Sequence, residues 1–360
     1  MLHERTSVGL DVHARSVVAA AIDNSTGELV RARLVPSNEE VVRWVRALPG
    51  PVAVAYEAGP TGFGLARAMT DAGVACVVAA PSKINRAPGD RVKTDARDAV
   101  LLARLLRLGD LTPVRVPTQV EESARDLVRA REDVRGDLMR SRHRLGKLLL
   151  RHGHVYSGGT PWTGKHTAWL SSIDFEHPGT RAAFDAEREA VGFAVARRDH
   201  LDAAIAAMAN DSVFTPVTRR LCCLRGVSTL TGFALAVEIG DWDRFTGASL
   251  GSYLGLTPSE HSSGGSRRLG AITKAGNTHV RRLLIEAAWH HKPRYVVGAT
   301  LQARWDTAPP AARVRAHAGN QRLHQRWVTF DARGKKHTVA TTAIARELAG
   351  WCWSLATLPA

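Results

Sequence analysis

The first 115 residues alternate short apolar segments with turns, and this alternation constrains the fold more than any other feature of the chain. The opening stretch "TSVGLDVHARSVVAAAIDNSTGELVRARLV" predicts three short strands in a β-meander, with "DNSTGE" supplying turn residues. A fourth strand, "PVAVAYEAG", ends at Glu57, and "ACVVAAP" is a fifth, with a helical segment between them. Strands that alternate with helices predict an α/β domain over residues 1–115.

A helix is predicted near the end of this domain. The stretch "TDARDAVLLARLLRLG" begins with acidic residues, stops at Gly109, and has an apolar side formed by Leu101, Leu105 and Leu108.

Two long helical segments follow. From Val120 onward, apolar residues recur at spacings of four and three, which is a heptad pattern interrupted by Arg131 and Ser141. The pattern predicts a long helix that pairs with another helix, either of this chain or of a second subunit. "SGGTPWTGKH" ends this helix, and a second helical run over residues 181–210 could complete an antiparallel hairpin. We therefore expect a helical, coiled-coil linker region over residues 116–210.

The remaining residues, 211–360, are expected to form a mainly helical C-terminal domain. The segment "LCCLRGVSTLTGFALAVEIGDWDRF" has a glycine-containing turn between two apolar helical stretches, as in a helix-hairpin-helix. Backbone N–H groups at such a turn, and at the start of the second helix, can bind a DNA phosphate. A plain helical hairpin without a ligand is the alternative.

The charge balance favours an anionic partner, with nucleic acid as the leading candidate. The chain has 49 Lys and Arg against 34 Asp and Glu, which gives a formal net charge of +15. No uninterrupted apolar run reaches the roughly 18 residues of a membrane-spanning helix, and the first residues lack the order of a signal peptide. We therefore expect a cytoplasmic protein. The four cysteines form neither a disulfide framework nor a zinc-binding pair.

Four carboxylates of the first domain are candidate metal ligands. Asp11 lies inside an apolar strand, where a charge is costly unless it is paired or binds a cation. Glu57 ends the fourth strand, and Asp95 and Asp98 project from one helical face. If they converge, they could hold two Mg²⁺ or Mn²⁺ ions that assist phosphodiester cleavage. Each acid also has an ordinary interpretation: Asp95 as a helix N-cap, Asp98 as the partner of a nearby arginine, and Glu57 as an exposed strand end.

The C-terminal segment "EHSSGGSRRLG" contains a candidate nucleophile. Ser262 and Ser263 lie beside glycines that allow close backbone approach, and Arg267, Arg268 and Lys274 could bind phosphate. Attack by a serine hydroxyl would conserve the energy of the phosphodiester in an ester that a DNA hydroxyl can later reverse, as a recombinase requires. Composition alone favours a solvated Ser/Gly-rich turn.

The following helix, "THVRRLLIEAAWHH", offers two further cations. Arg281 and Arg282 are candidates for backbone phosphates, and a solvated basic face is the alternative. The histidines of this region have no cysteine partner at the spacing of a zinc site.

Together these motifs resemble the DEDD transposases of the insertion sequence one-ten group. The resemblance rests on "GLDVHARSVVAAAID", "YEAGPTGFGLARAM" and "TDARDAVLLARLL" in the first third, and on "YLGLTPSEHSSGGSRRLGAITKAGNTHVRRLLIEAAW" in the last. It implies a ribonuclease H-like (RuvC-like) fold for the first domain, in which the metal-binding tetrad would be Asp11, Glu57, Asp95 and Asp98. It implies Ser263, directly before a glycine, as the recombinase serine, with Ser262 as the second choice. It also implies donor and target DNA as substrates, a structured bridge RNA as guide, and assembly into homodimers or homotetramers.

Two other functions remain open at the level of sequence. A metal-dependent nuclease that resolves DNA junctions would use the same acids and would leave hydrolysed ends, with the serine segment only binding phosphate. A non-catalytic nucleic-acid-binding scaffold would retain the fold but not the chemistry, although all four acids are present.

Overall fold

The structure is a computed structural model that describes residues 4–85, 94–263, 265–266 and 268–359. The chain divides into two compact units, Met1–Thr118 and Gln119–Ala360. The division into three parts that the sequence suggests stays a prediction.

The first unit contains a mixed five-stranded sheet. Its strands are β1 (Thr6–Val12), β2 (Val17–Asp23), β3 (Leu29–Leu34), β4 (Val52–Glu57) and β5 (Ala75–Ala79). The strand order is β3-β2-β1-β4-β5, in which β1, β2 and β3 are antiparallel while β4 and β5 run parallel to β1. The helices of this unit are α1 (Asn38–Arg46), α2 (Gly64–Asp71) and α3 (Asp95–Leu108). The predicted α/β class and the five strands are confirmed.

Helix α3 covers one face of this sheet, and α1 and α2 cover the other. On β1, Val8 and Leu10 pack with residues of α1 and α2. Gly9 points the opposite way, and a Cβ at this position would lie 2.0 Å from the carbonyl oxygen of Ala99 on α3. Because side chains alternate along a strand, Asp11 projects from the same face as Gly9. The close approach of α3 to β1 therefore brings the helix to the side of the sheet that carries Asp11.

The buried side of α3 differs from the predicted one. Leu105 is buried as expected, but Leu102 and Leu106 complete the buried side, whereas Leu108 is 75% exposed. Gly109 ends the helix, as predicted, and it adopts the left-handed conformation.

The second unit is mainly helical. Its elements are α4 (Gln119–Arg151), α5 (Gly164–Ser171), α6 (Pro178–Asn210), α7 (Thr215–Leu221), α8 (Thr229–Ile239), α9 (Gly247–Tyr253), β6 (Pro258–Glu260), β7 (Leu269–Ile272), α10 (Thr278–Trp289), α11 (Ala299–Asp306), α12 (Pro310–Ala332) and α13 (His337–Ala356). The largest core of the unit lies among α8, α10, α12 and α13 and surrounds Trp327. None of the helices in the described ranges combines the length and the apolarity needed to cross a membrane.

The long helices α4 and α6 pack against each other in antiparallel fashion. The start of α4 contacts the end of α6, where Ala124 packs with Ile205, and the end of α4 packs on the start of α6, where Leu145 lies with Phe184. The heptad helix thus has a partner in its own chain. The two polar interruptions of the heptad are bonded, since Arg131 forms a bidentate ion pair with Asp202 and Ser141 accepts a hydrogen bond from Arg144. Supercoiling of the pair stays a prediction.

Helices α7 and α8 flank the glycine turn that resembles a helix-hairpin-helix. Gly226 adopts φ +82°, and a Cβ there would lie 2.5 Å from the carbonyl oxygen of Ala287 on α10. Only glycine fits such a turn, because both the backbone angle and the space exclude a side chain. Ser228 caps α8 by accepting a hydrogen bond from the backbone N–H of Thr231. Phosphate binding at this turn stays a prediction.

Candidate functional site

Two of the candidate carboxylates end neighbouring parallel strands. Leu10 of β1 lies opposite Tyr56 of β4, so the next residues, Asp11 and Glu57, follow at the same edge of the sheet. On β4, Ala55 packs with Leu106 of α3, and the alternation of side chains directs Glu57 to that same face. Asp11 and Glu57 therefore share both the edge and the face of the sheet that α3 covers.

The first turn of α3 supplies the other two carboxylates. Thr94 is the N-cap, and its side chain accepts a hydrogen bond from the backbone N–H of Arg97. Asp95 is thus the first residue of the helix, and its suggested role as the N-cap is wrong. Asp98 lies one turn further on and is only 9% exposed, whereas Asp95 is exposed. Carboxylates in the first turn are favoured by the partial positive charge of a helix N-terminus.

The structure brings Asp11, His13 and Asp95 together. His13 Nε2 lies 3.2 Å from Asp11 Oδ1 and 3.8 Å from Asp95 Oδ1. One ligand atom from each residue lies within 4.8 Å of the other two, and no other group of three or more such residues is found in the described part of the chain. Glu57 and Asp98 therefore occupy the same region but lie outside this closest group.

Negative charge accumulates around Asp11. Burial raises the pKa of the Asp11 carboxyl above its usual range; the charge of His13 and its hydrogen bond lower it in part, and the charges of Asp95 and Asp98 raise it further. A divalent cation bound by carboxylate oxygens would remove this repulsion. Oxygen ligands of this kind suit Mg²⁺ or Mn²⁺ better than softer metals, so the residues present fit such an ion.

The serine segment forms an exposed hairpin between β6 and β7, which are antiparallel. Ser263 and Ser266 exchange backbone hydrogen bonds of 3.3 and 3.2 Å. The Ser262 hydroxyl donates to Glu260 Oε1 at 2.8 Å and accepts from the backbone N–H of Arg268 at 3.3 Å. The Ser263 side chain is exposed, and its hydroxyl makes no hydrogen bond with any residue that the structure describes. The two neighbouring serines thus differ, since the hydroxyl of Ser262 stabilises the hairpin.

The predicted phosphate ligands near this hairpin have different positions. Arg267 lies outside the described residues, and Arg268 is exposed on the hairpin. Lys274 adopts φ +56°, which is uncommon for a residue with a side chain. Its backbone N–H donates to the carbonyl of Gly255, and a Cβ on Gly255 would lie 2.3 Å from the backbone nitrogen of Ala275. Close backbone packing therefore holds Lys274 in this conformation.

Comparison with known proteins covers both regions. Residues 8–153 match a family model described as a transposase of the DEDD IS110 type, and residues 218–303 match the transposase IS116/IS110/IS902 family. A protein of Sinorhizobium fredii, y4qE, named as a transposase, is 38% identical over 355 residues that cover 97% of this chain and 88% of the relative. The chain belongs to the IS110 family of transposases. A second relative, the transposase for insertion sequence element IS1533 of Leptospira borgpetersenii, is 28% identical and covers 93% of this chain and 99% of its own length.

Family membership establishes the general activity of this transposase. It is the transposase of an insertion sequence, so DNA is its substrate, and the DEDD type indicates divalent-metal use at an acidic cluster. The first match spans all four candidate carboxylates, and the second spans the serine hairpin and α10.

The two arginines of α10 are engaged within the transposase. Arg281 is 8% exposed, and its Nη1 donates to the carbonyl oxygens of Leu254 at 3.0 Å and Ala275 at 2.7 Å. Arg282 forms ion pairs with Glu132 of α4 and Glu286 of α10. A buried guanidinium bonded to two carbonyls is typical of a structural residue, and phosphate binding by either arginine stays a prediction.

Two residues near these sites were not singled out from the sequence. His13 lies two positions after Asp11, and the alternation of a strand could have indicated that both project from one face. Glu238 lies at the end of the apolar helix α8, where a single acid in "ALAVEIG" was the available signal.

Glu238 forms the centre of a buried polar cluster between α4, α8 and the start of α10. Its side chain is 2% exposed, receives a bidentate ion pair from Arg129, and accepts a hydrogen bond from Asn277 Nδ2 at 2.8 Å. Burial alone would raise the pKa of Glu238, but hydrogen bonds from His279 and Arg129 and the charges of Arg129 and Arg125 lower it to about 2. Because Asn277 caps α10, this cluster links α4 and α8 to the helix that follows β7.

Proposed function

We propose that this transposase cuts and rejoins DNA strands through a covalent serine–DNA intermediate. Ser263 is the nucleophile, and the ligands of a divalent metal, Mg²⁺ or Mn²⁺, are Asp11, Glu57, Asp95 and Asp98. One observation carries the proposal: oxygens of Asp11 and Asp95 converge with His13 at the sheet edge where Glu57 also ends its strand. Carboxylates gathered this closely are typical of a cation site.

The metal, when bound, would activate an attacking oxygen and stabilise the leaving oxygen of a phosphodiester. The protein contributes the geometry of the carboxylates. His13, at 3.2 Å from Asp11, orients that carboxylate through a hydrogen bond, and α3 sets the position of Asp95 relative to β1 through the contact at Gly9. Groups held by core elements keep their positions better than groups on loops.

At the serine, the Ser263 oxygen attacks the DNA phosphorus, and its hydroxyl proton passes to a general base. A phosphoserine ester forms as the bond between phosphorus and a deoxyribose oxygen breaks, and that oxygen takes up a proton. Attack by a DNA hydroxyl on the ester then restores a phosphodiester and releases the serine. Ser263 is preferred to Ser262 because the hydroxyl of Ser262 is bonded to Glu260 and to the hairpin backbone.

We further propose a structured guide RNA that selects donor and target DNA by base pairing, and assembly into homodimers or homotetramers. The formal net charge of +15 supports polyanionic partners, a requirement that both DNA and RNA meet. In this proposal residues 1–115 form the metal-dependent domain, residues 116–210 the helical linker, and residues 211–360 the domain that carries the serine.

A trapping experiment tests the chemistry. Supercoiled DNA that carries the insertion sequence ends and its flanking non-coding segments is incubated with RNA transcribed from those segments and with wild type, Ser263→Ala or Ser262→Ala protein. Covalent protein–DNA adducts are then resolved under denaturing conditions. We expect adducts and rejoined DNA with wild type and Ser262→Ala, and neither with Ser263→Ala, although that variant still binds DNA.

Three outcomes would contradict parts of the proposal. Hydrolysed ends without adducts or rejoining indicate the junction-resolving nuclease. Adducts that survive in Ser263→Ala but vanish in Ser262→Ala assign the chemistry to Ser262. Recombination that persists when Asp11 and Glu57 are both changed to alanine shows that the acids act only as part of a scaffold.

A further inference from the structure

A groove near the loop end of the α4–α6 pair has no part in the proposed chemistry. It has a volume of about 390 Å³ and lies between one stripe of α4 and the segment that leads into α5. The residues that define its character are Arg142, His143, Gly146, Lys147, Trp162 and His166.

The groove carries positive charge that the protein does not neutralise. Arg142, His143 and Lys147 line it, and no residue of the lining is acidic. Within the described part of the chain, no carboxylate lies within salt-bridge distance of these three side chains. Burial lowers the pKa of the Arg142 guanidinium, and the nearby charge of Arg198 lowers it to a smaller extent. An anionic partner would relieve this repulsion.

An aromatic side chain stands beside these cations in a strained conformation. Trp162 has φ +66°, although a bulky residue rarely adopts the left-handed region. The guanidinium of Arg142 lies 4.7 Å from the centre of the Trp162 ring, and the His166 ring lies 4.9 Å from it. Strain of this kind persists only where the surroundings hold it, and it is often found at binding sites.

Polar atoms at the groove lack partners. His166 is 5% exposed, yet its Nδ1 has no hydrogen-bond partner among the residues described, and the same holds for Nε of Arg142. Most buried polar atoms in proteins are bonded, so two unbonded atoms beside one groove mark a place where the packing of the protein alone does not satisfy its polar groups.

One of the residues that line the groove is a glycine, which leaves space where a side chain would lie. Gly146 is an exposed residue near the C-terminal end of α4, five residues before Arg151, and a Cβ at this position would meet nothing within 4 Å. Glycine weakens a helix interior, so its presence where a side chain would fit favours a role for the open space.

We propose that this groove binds an unpaired nucleotide of a single-stranded nucleic acid. The phosphate lies against Arg142, His143 and Lys147. The base lies against Trp162 and the apolar lining residues Leu150 and Pro161. Sites that bind single strands combine cations with aromatic side chains in this way, because every base has a face that can stack. RNA and DNA share this chemistry, and strands without uracil or thymine differ by the 2′-hydroxyl of the sugar.

Filling the floor of the groove tests this site. Gly146→Leu puts a side chain into the open space and raises helix propensity, so the fold should be preserved. Gly192→Leu is the matched control, because Gly192 is an exposed glycine in the middle of α6 that also has nothing within 4 Å. Circular dichroism melting checks that both variants fold. Binding of the full chain to labelled single strands of about 12 nucleotides is measured by fluorescence anisotropy, with RNA and DNA of one sequence.

We expect Gly146→Leu to weaken single-strand binding about tenfold, which corresponds to loss of one stacked base with its phosphate contact, and Gly192→Leu to leave it unchanged.

Trp162→Asn, which retains a residue that tolerates positive φ, should weaken binding about fivefold. Lys147→Gln should reduce the slope of log affinity against log salt by about one. A preference for RNA identifies the 2′-hydroxyl as part of the recognition, and equal binding identifies the shared chemistry; both support the site.

Equal affinities of Gly146→Leu and Gly192→Leu for both strands would overturn the proposal. So would a wild-type protein that binds neither strand. A change in oligomeric state for Gly146→Leu alone, measured by light scattering without a change in affinity, would show that the groove is a protein interface. These results are independent of the serine and of the acids, because they are read from binding and not from strand transfer.

Discussion

The acidic edge of the first unit and the serine hairpin of the second unit are built in opposite ways. Asp11 and Glu57 end strands of a covered sheet, and Asp95 begins a helix that packs so closely on β1 that Gly9 has no room for a side chain. The hairpin has two short strands with mostly exposed side chains, and backbone bonds hold its end. A metal site needs ligands that do not move, whereas a nucleophile that becomes joined to DNA needs access. Under the proposed function, the two regions would meet these different needs.

Replacing a glycine by alanine in each of the two regions should give the largest difference in the free energy of unfolding. Gly9→Ala places a Cβ against the backbone of α3 and should lower the free energy of unfolding by about 3 kcal/mol, since a backbone cannot give way as a side chain can. Gly265→Ala on the hairpin meets nothing within 4 Å and should change it by less than about 0.5 kcal/mol. Urea unfolding followed by circular dichroism measures both. Similar losses would show that the hairpin is as tightly packed as the sheet.

The buried polar cluster around Glu238 should give the next largest change in the free energy of unfolding. Glu238→Gln removes the charge that Arg129 and His279 stabilise, and should cost about 2 kcal/mol near neutral pH. Because the folded pKa of about 2 is below the usual glutamate value of 4.5, this stabilisation is present above about pH 4.5.

The contribution of Glu238 is then lost as the pH falls from about 4.5 towards about 2, when the carboxylate takes up a proton. The stability difference between wild type and Glu238→Gln should therefore shrink over this range in urea titrations at a series of pH values. A difference that stays constant with pH would mean that the shape of the side chain, and not its charge, stabilises the cluster.

Metal binding at the acidic edge should stabilise the fold by a smaller amount. At a Mg²⁺ concentration about tenfold above its Kd, the wild type should gain about 1.4 kcal/mol, whereas Asp11→Asn should gain little. Without metal, Asp11→Asn should be slightly more stable than wild type, by a few tenths of a kcal/mol, because it removes a partly buried charge and its repulsion from Asp95 and Asp98. Thermal melts with and without Mg²⁺ provide the measurement. The same Mg²⁺ shift in both proteins would place the ion elsewhere.

The smallest expected effect separates the two serines. Ser262→Ala removes an acceptor for the backbone N–H of Arg268, so amide hydrogen exchange at Arg268 should accelerate, in keeping with the loss of about 0.5–1 kcal/mol. Ser263→Ala should leave this exchange rate unchanged. If both substitutions accelerate it equally, the two hydroxyls contribute alike to the hairpin.

The elements of the first unit could be predicted because their signals are local. Alternation along β1 and β4 locates Asp11 and Glu57, and the acids before an apolar run locate the start of α3. The buried side of α3 was only partly predictable, since a leucine can lie on either side of a helix until the surface it packs on is known. Leu108 is exposed because the helix extends past the sheet-facing stretch that ends with Leu106.

The roles of polar residues in the second unit depend on distant parts of the chain. Arg281 and Arg282 are adjacent in sequence, yet one is bonded to two backbone carbonyls and the other to Glu132, which is 150 residues away. Spacing alone contains no information on such partners. The sequence also could not identify α6 as the partner of α4, because a heptad pattern indicates that a helix is paired but does not identify the partner helix.

The bonds of Arg281 have a consequence for how the serine segment can vary. Its guanidinium donates hydrogen bonds to the carbonyl oxygens of Leu254 and Ala275, so one side chain connects the two ends of the segment that contains the hairpin. The entropic cost of closing a loop grows slowly with its length. A change in the number of hairpin residues between Leu254 and Ala275 should therefore have little effect on the stability of the rest of the unit. We therefore expect the hairpin that is proposed to meet DNA to tolerate changes in length while the core that carries it stays the same.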